Sequence, residues 1–125
     1  FDCFSYSKKN TLRGMHLQTI KSQAKIITVV QGKILDVVVD LRKGSKTYGK
    51  YHSLEISRNN RTSMLLPPGV ANGFVVLSNE ATYHYKLAYP DDYLDYDKQF
   101  TIKYYDQLFS INWPVTNPIV SDRDA

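Results

Sequence analysis

The sequence lacks the features that identify several common classes of protein. It holds one cysteine, Cys3, in 125 residues, which excludes an intramolecular disulfide framework and fits a reducing compartment such as the cytoplasm. No stretch approaches the ~18 consecutive apolar residues that a membrane-spanning helix requires, so no membrane segment is expected. The length is that of a single globular domain with a substantial core.

The charge is moderately basic. Sixteen Lys and Arg residues against twelve Asp and Glu residues give a formal net charge of +4, which favours an anionic partner such as a phosphate. Basic charge combined with ten tyrosines is also found in proteins that bind single-stranded nucleic acid. Here the basic residues are scattered along the chain without a dense cluster, and a nucleic-acid partner is therefore not expected.

Short β-branched and aromatic runs separated by turn residues predict an all-β fold. Residues 25–30 and 34–41 flank Gly32 and predict a hairpin. Further strands are predicted over residues 51–56, 64–66, 74–77 and 82–88, with a stop at Pro67-Pro68-Gly69. Residues 89–96 predict a loop, and the irregular C-terminal end is expected to pack over the sheets. No long helical period is present, so the fold class is an all-β sandwich or barrel.

The segment from Thr11 to Gln18 carries the strongest chemical signal. Alternate residues of a strand share a face, so His16 and Gln18 point to one side, while Met15 and Leu17 point to the other. Arg13 joins the polar side only if Gly14 marks a β-bulge. A polar strand face with an imidazole is typical of the inside of a small ligand-binding barrel.

An ordered set of motifs resembles the family of cupin-type nucleotide-sugar epimerases typified by dTDP-4-dehydrorhamnose 3,5-epimerase. Seven motifs run in the family's order along the whole chain: RGMHLQ at 13–18, QAK at 23–25, DVVVDLR at 36–42, PPGVANGF at 67–74, YK at 85–86, NWP at 112–114 and PIVSDRD at 118–124.

The resemblance implies an all-β cupin domain, a double-stranded β-helix or jelly-roll barrel, over residues 1–125. Only twelve residues precede Arg13, so part of the family's N-terminal segment is expected to be missing. The family further implies a homodimer, a nucleotide-diphosphate sugar as the ligand, and no cofactor.

The implied reaction is epimerisation at C3, C5 or both of a nucleotide-linked 4-keto-deoxy sugar in surface-polysaccharide biosynthesis. Inverting a carbon beside a ketone requires a base on one face, an acid on the other and a group that stabilises the enolate oxygen. His16 is the expected base, because an unperturbed imidazole titrates near ~6.5, although a structural histidine is the alternative. The Tyr-Lys match implies that Tyr85 is the acid, with simple packing as its alternative.

One carboxylate is expected to support the base, and another the group that stabilises the enolate. The resemblance aligns Asp124 with the residue that orients the base, although a solvated charge near the C-terminus is the alternative. Lys25 can donate to the enolate oxygen, and Asp36 can hold that lysine through a charge-assisted hydrogen bond. If the face carrying Asp36 is instead exposed to solvent, that pairing is lost.

The substrate is expected to meet further polar side chains. Arg13 and Gln18 are candidates for the pyrophosphate and the sugar, since a guanidinium pairs bidentately with phosphate. Arg58 and Tyr89 are additional substrate-binding candidates. Asn72 stands where the family usually has histidine, and an asparagine can donate a hydrogen bond but cannot shuttle a proton. The sugar or the number of inverted carbons is expected to differ accordingly, with a guanosine-linked 4-keto-heptose as one possible substrate.

Two other functions remain open from the sequence. A cupin that binds sugar or assembles with a partner without turnover is one, and a nucleotide-sugar ketoisomerase is the other. A metal site is not expected, because the three histidines, His16, His52 and His84, lie in unrelated contexts.

Overall fold

The structure is a computed structural model that describes residues 2–18, 24–88 and 99–125. These residues form two antiparallel sheets. One sheet has four strands in the order β1-β8-β3-β6, and the other has five in the order β5-β4-β7-β2-β9. The strands are β1 (Asp2–Lys8), β2 (Leu12–Gln18), β3 (Lys25–Gln31), β4 (Lys33–Asp40), β5 (Tyr51–Ser57), β6 (Ser63–Leu66), β7 (Val70–Val76), β8 (Glu80–Leu87) and β9 (Gln99–Thr101).

The predicted hairpin around Gly32 is wrong. Strand β3 lies in the four-stranded sheet and β4 in the five-stranded sheet, so the turn at Gly32 carries the chain from one sheet to the other. Gly32 has φ +85°, and a Cβ at this position would lie 2.2 Å from the carbonyl oxygen of Glu80. Only glycine fits at this position. In the sequence, a glycine between two strands is equally typical of a hairpin and of a connection between two sheets.

The main core lies between the two sheets. Strand β4 illustrates how alternation builds it, because Ile34 belongs to the core between the sheets, while Val37 and Val39 belong to a second cluster on the opposite face. The two faces of β4 therefore belong to two different clusters, as the two-residue period of a strand requires. The buried residues of the core between the sheets are Ile27, Val29, Ile34, Ile56, Leu66, Phe74, Val76, Ala81 and Tyr83.

The C-terminal segment covers the outer face of the five-stranded sheet. Phe109, Ile111 and Trp113 pack against the second cluster, and the Trp113 indole N–H donates to the carbonyl oxygen of Tyr104 at 2.7 Å. The expectation that the irregular end packs over the sheets is confirmed. The segment also returns the chain to β2, since Leu12 N donates to the Ile119 carbonyl oxygen at 2.9 Å and Thr11 bridges Ile119 in parallel.

Among the residues that the structure describes, no helix is long and apolar enough to cross a membrane.

Candidate active site

A bulge in β2 turns two functional side chains toward the same face. Arg13 is opposite Phe74 and His16 is opposite Asn72, so three positions of β2 span the distance that two positions of β7 cover. Gly14 has φ +119°, and a Cβ there would lie 2.6 Å from the Gly73 Cα. The bulge that the sequence required for Arg13 is therefore present, and it depends on two glycines in close contact.

His16 is paired with Asp124 across 108 positions of sequence. The His16 Nε2 lies 2.7 Å from Asp124 Oδ1, and the Gly14 N–H donates to Asp124 Oδ2 at 3.1 Å. Asp124 is 1% exposed. Burial acts to raise the pKa of Asp124, but the hydrogen bond and the charge of His16, the Gly14 N–H and the Arg123 guanidinium outweigh it and lower that pKa.

The pairing with Asp124 favours the tautomer of His16 that carries its proton on Nε2. An ionised carboxylate only accepts hydrogen bonds, so Nε2 carries the proton that points to Asp124. The other ring nitrogen, Nδ1, then holds a lone pair that can accept a proton. Arg123 adds positive charge beside the pair, with Nη2 3.2 Å from His16 Nε2 and Nε 3.6 Å from Asp124 Oδ1.

The opposite wall of the barrel carries the lysine and the tyrosine. Lys25 begins β3 and Tyr85 lies on β8, both in the four-stranded sheet, whereas His16 lies in the five-stranded sheet. The Lys25 Nζ lies 4.8 Å from the centroid of the Tyr85 ring, a cation–π arrangement. Tyr85 is half-buried and packs against the core between the sheets. The acid and base candidates therefore project from facing walls.

Asp36 is a buried carboxyl group that interacts electrostatically with Lys25. It is 0% exposed, at the middle of β4, on the face that points between the sheets. Burial raises the pKa of Asp36, and the charge of Lys25 together with a hydrogen bond from Asn72 opposes that rise. Burial likewise lowers the pKa of Lys25, and the Asp36 carboxylate opposes it. The alternative of a solvent-facing Asp36 is therefore wrong.

Asn72 is engaged with protein groups on both ends of its amide. Its Nδ2 donates to Asp36 Oδ1 at 2.5 Å and to the Val37 carbonyl oxygen at 3.2 Å. Its Oδ1 accepts a hydrogen bond from the Tyr83 hydroxyl at 3.0 Å. The residue was predicted to bind substrate, yet it is 4% exposed and both N–H groups are directed to the protein. A substrate contact through its amide protons would require this network to rearrange.

The other substrate-binding candidates fall in different places. Arg13 is half-buried, and its Nε donates to the Ser7 hydroxyl on β1 at 3.1 Å. Gln18 ends β2, where its backbone pairs with Gln99, and its role stays a prediction. Tyr89 lies outside the described residues.

The structure does not bring Arg58 to this cluster. Its backbone N–H donates to the Gly32 carbonyl oxygen at 3.1 Å, which puts it at the Lys33 end of β4. Asp36 lies three residues further along that strand, roughly 10 Å away at about 3.3 Å per residue. Arg58 is exposed, and its role in binding substrate stays a prediction.

Three residues at the site were missed by sequence reasoning. Tyr83 is one of ten tyrosines, and only the hydrogen bond of its hydroxyl to Asn72 on the other sheet distinguishes it. Arg123 precedes Asp124 in the PIVSDRD motif, and this adjacency could have indicated that it lies at the site. Ser7 lies on a strand that was not predicted. Within the described ranges, no three His, Cys, Asp or Glu side chains group closely enough to hold a metal ion.

The two facing sheets form a cupin-type barrel. One wall carries a histidine–carboxylate pair and the other carries a lysine and a tyrosine, which are side chains suited to acid–base chemistry. The family model for dTDP-4-dehydrorhamnose 3,5-epimerase matches residues 2–125. The chain belongs to the dTDP-4-dehydrorhamnose 3,5-epimerase family, and the predicted family and jelly-roll fold are confirmed.

Relatives found by sequence and by structure agree with this assignment. A dTDP-4-dehydrorhamnose 3,5-epimerase of Shigella flexneri is 39% identical over 98% of this chain and 67% of its own length. The Bacillus anthracis enzyme, solved with TDP and PPi, has a TM-score of 0.91 at 40% identity, covering 99% of this chain and 70% of that one. The Legionella pneumophila enzyme, in complex with dTDP-4-keto-L-rhamnose, has a TM-score of 0.89 at 36% identity, covering 99% and 65%. The chain thus spans about two thirds of the length of these relatives.

Proposed function

We propose that this protein epimerises a nucleotide-linked 4-keto-deoxy sugar at C3, C5 or both. The observation that carries the proposal is the placement of an oriented histidine and a tyrosine on facing walls of one barrel, with a lysine beside the tyrosine. Family membership and the sugar nucleotides bound by relatives support the choice of substrate.

The first step removes the proton from the carbon next to the ketone. His16 Nδ1 accepts this proton, and Asp124 stabilises the resulting imidazolium through the hydrogen bond at Nε2. The electron pair of the C–H bond moves into the ring and generates an enolate at O4. Lys25, held near Asp36, donates a hydrogen bond to that oxygen where the negative charge develops.

The second step returns a proton from the other face. Tyr85 projects from the facing sheet, so its hydroxyl approaches the carbon from the side opposite His16. Transfer of the phenolic proton inverts the carbon and regenerates the ketone. The phenolate then takes a proton from water, and the imidazolium loses its proton to water, which restores the starting state.

Solvent-exchange NMR tests the proposal. The protein is incubated in heavy water with thymidine- and guanosine-linked 4-keto-6-deoxy sugars, and C3 and C5 are followed by NMR. Deuterium at one or both carbons, with inversion, is the expected result, and it also counts the centres attacked. The absence of exchange with every such sugar from folded protein would favour a cupin that binds sugar without turnover.

A homodimer is the second part of the proposal. The outer face of the four-stranded sheet exposes large apolar side chains on three of its strands, whereas the C-terminal segment covers the outer face of the other sheet. An apolar sheet face of this kind is typical of a protein interface. The exposed residues are Phe4, Tyr6, Ile26, Val30 and Leu65.

Light scattering tests the dimer. The wild-type protein is expected to elute at twice its chain mass of 14.4 kDa, and Leu65→Lys to shift it toward the monomer. Leu108→Lys is the matched control, because Leu108 is also exposed, at 83%, but lies in the C-terminal segment. A wild-type monomer would overturn this part of the proposal and leave the proposed chemistry unaffected.

We also propose the cytoplasm as the compartment, which the single cysteine supports.

A further inference from the structure

Asn72 lies between two buried side chains, Tyr83 and Asp36, and its amide also donates to the Val37 carbonyl oxygen at 3.2 Å. A side-chain amide can be turned by 180° without changing its shape, so its orientation follows from its partners. Here Tyr83 donates to Oδ1 at 3.0 Å, and Nδ2 donates to Asp36 at 2.5 Å. Asp36 and the Val37 carbonyl can only accept, so they direct the N–H groups of the amide. The tyrosine hydroxyl donates to the amide oxygen, which polarises the amide and strengthens its N–H donation to Asp36.

Tyr83 is itself held firmly. It is 3% exposed, and its ring stacks on Phe74 with centroids 4.2 Å apart and planes inclined by 19°. Burial, followed by the charges of Asp36, Tyr85 and Cys3, raises the pKa of Tyr83 well above its usual value. The hydroxyl therefore stays protonated at neutral pH and acts as a fixed donor.

Asp36 depends on this arrangement. Oδ1 accepts the Asn72 N–H, while Oδ2 is buried without a hydrogen-bond partner among the described residues. The ionisable groups around it are Lys25 across the barrel and Tyr83, with Cys3 acting on both of these residues. One neutral hydrogen-bond donor and one lysine offset the cost of burying the Asp36 carboxylate. Loss of the Asn72 N–H would therefore favour the protonated form of Asp36.

We propose that Tyr83 is a positioning residue which, by donating to the Asn72 amide, strengthens the Asn72 N–H donation to Asp36 and so favours the anionic form of Asp36 beside Lys25. Without the tyrosine hydroxyl, Asn72 Oδ1 is buried without that donor, and the N–H donation from Nδ2 to Asp36 Oδ1 weakens. A weaker donor stabilises the buried carboxylate less, which favours its protonated form. Lys25 then loses the negative charge that holds its ammonium at the enolate position. This inference deepens the proposed function and rests on it for its catalytic consequence.

The test is an NMR titration that needs no substrate. Tyr83→Phe keeps the stacked ring and removes only the hydroxyl. The side-chain carboxyl carbon of Asp36 and the Cε of Lys25 are followed from acidic to basic pH in both proteins. Asp36 is expected to titrate about one pH unit higher in Tyr83→Phe, a tenfold change in its protonation equilibrium. Tyr51→Phe is the matched control, because Tyr51 accepts a hydrogen bond from Asn112 N on the outer face of the other sheet.

The outcomes separate this inference from the proposed function. Identical Asp36 and Lys25 titrations in folded wild type and Tyr83→Phe would overturn it, as would an equal shift in Tyr51→Phe. In the wild type alone, the Asn72 Nδ2 protons should be protected from exchange and should shift with Asp36, and rapid free exchange would also overturn it. If the sugar assay works, the pH profile of kcat should move with Asp36 at unchanged KM. If no sugar reacts, the proposed function fails while the titration still decides the role of Tyr83.

Discussion

Replacing Asp124 by asparagine tests how the base is prepared. The carboxylate accepts one N–H from His16 at 2.7 Å and another from Gly14 at 3.1 Å while almost fully buried. Asparagine has one acceptor oxygen, so one of these donors must face an NH2 group. A hydrogen bond to a buried charge contributes ~1.5–3 kcal/mol. At 1.36 kcal/mol per factor of ten, kcat should fall by about 10- to 150-fold. If the NH2 group faces His16 and reverses its tautomer, the fall should approach ~10⁴-fold.

The assay is solvent deuterium incorporation into the keto sugar, read together with the 15N shifts of the His16 ring. Asp122→Asn is the control, since Asp122 is exposed and two residues away in the same terminal turn. We expect Asp122→Asn to behave as wild type in both measurements. Retention of full exchange activity in folded Asp124→Asn, or an equal loss in Asp122→Asn, would refute the view that the buried carboxylate orients the base.

Two further predictions concern stability. The pKa of Asp124 is lowered in the folded protein, so its stabilising contribution is present above its unfolded value of ~3.9 and is lost as pH falls through the folded value. Urea unfolding should show the largest difference between wild type and Asp124→Asn near neutral pH and a smaller one at about pH 3, and a difference that grows on acidification would contradict the assignment. Gly73→Ala should lower the free energy of unfolding by about 1–3 kcal/mol, because its Cβ would lie 2.7 Å from Met15 Sδ and 2.8 Å from the Arg13 carbonyl oxygen. Chemical denaturation measures this directly, and an unchanged stability would mean that the bulge relaxes freely.

The parts of the fold that sequence predicted are those in which local pattern and burial agree. In β4, successive side chains point to opposite faces of the sheet: Ile34 and Asp36 face between the sheets, and Val37 faces outward. The bulge could be predicted because Arg13 and His16 have opposite parity and a glycine lies between them.

The errors have physical causes of a different kind. The turn at Gly32 looks like a hairpin locally, and only the pairing of its flanking strands with distant partners decides otherwise. Strand β1 was missed because its apolar residues Phe4 and Tyr6 are exposed and its inward positions include polar Ser5 and Ser7, which inverts the usual pattern. Strand β9 was missed because three residues are too few to give a period.

Contacts between residues far apart in the sequence limit how much of the site can be predicted from the sequence. Nothing in local sequence brings position 124 to position 16, and only the family resemblance paired Asp124 with His16. The same holds for Tyr83, whose hydroxyl meets Asn72 through the approach of two different sheets. Side-chain type and parity therefore identified which residues face inward, while their partners required the three-dimensional structure.

The most direct test of the proposed mechanism compares proton exchange with inversion in Tyr85→Phe. With His16 intact on the facing wall, the variant should still exchange the proton beside the ketone for deuterium, while inversion of that carbon should fall much further. His16→Ala should lose exchange and inversion together. An equal loss of exchange and inversion in folded Tyr85→Phe, or unchanged inversion, would contradict the assignment of opposite faces to the base and the acid.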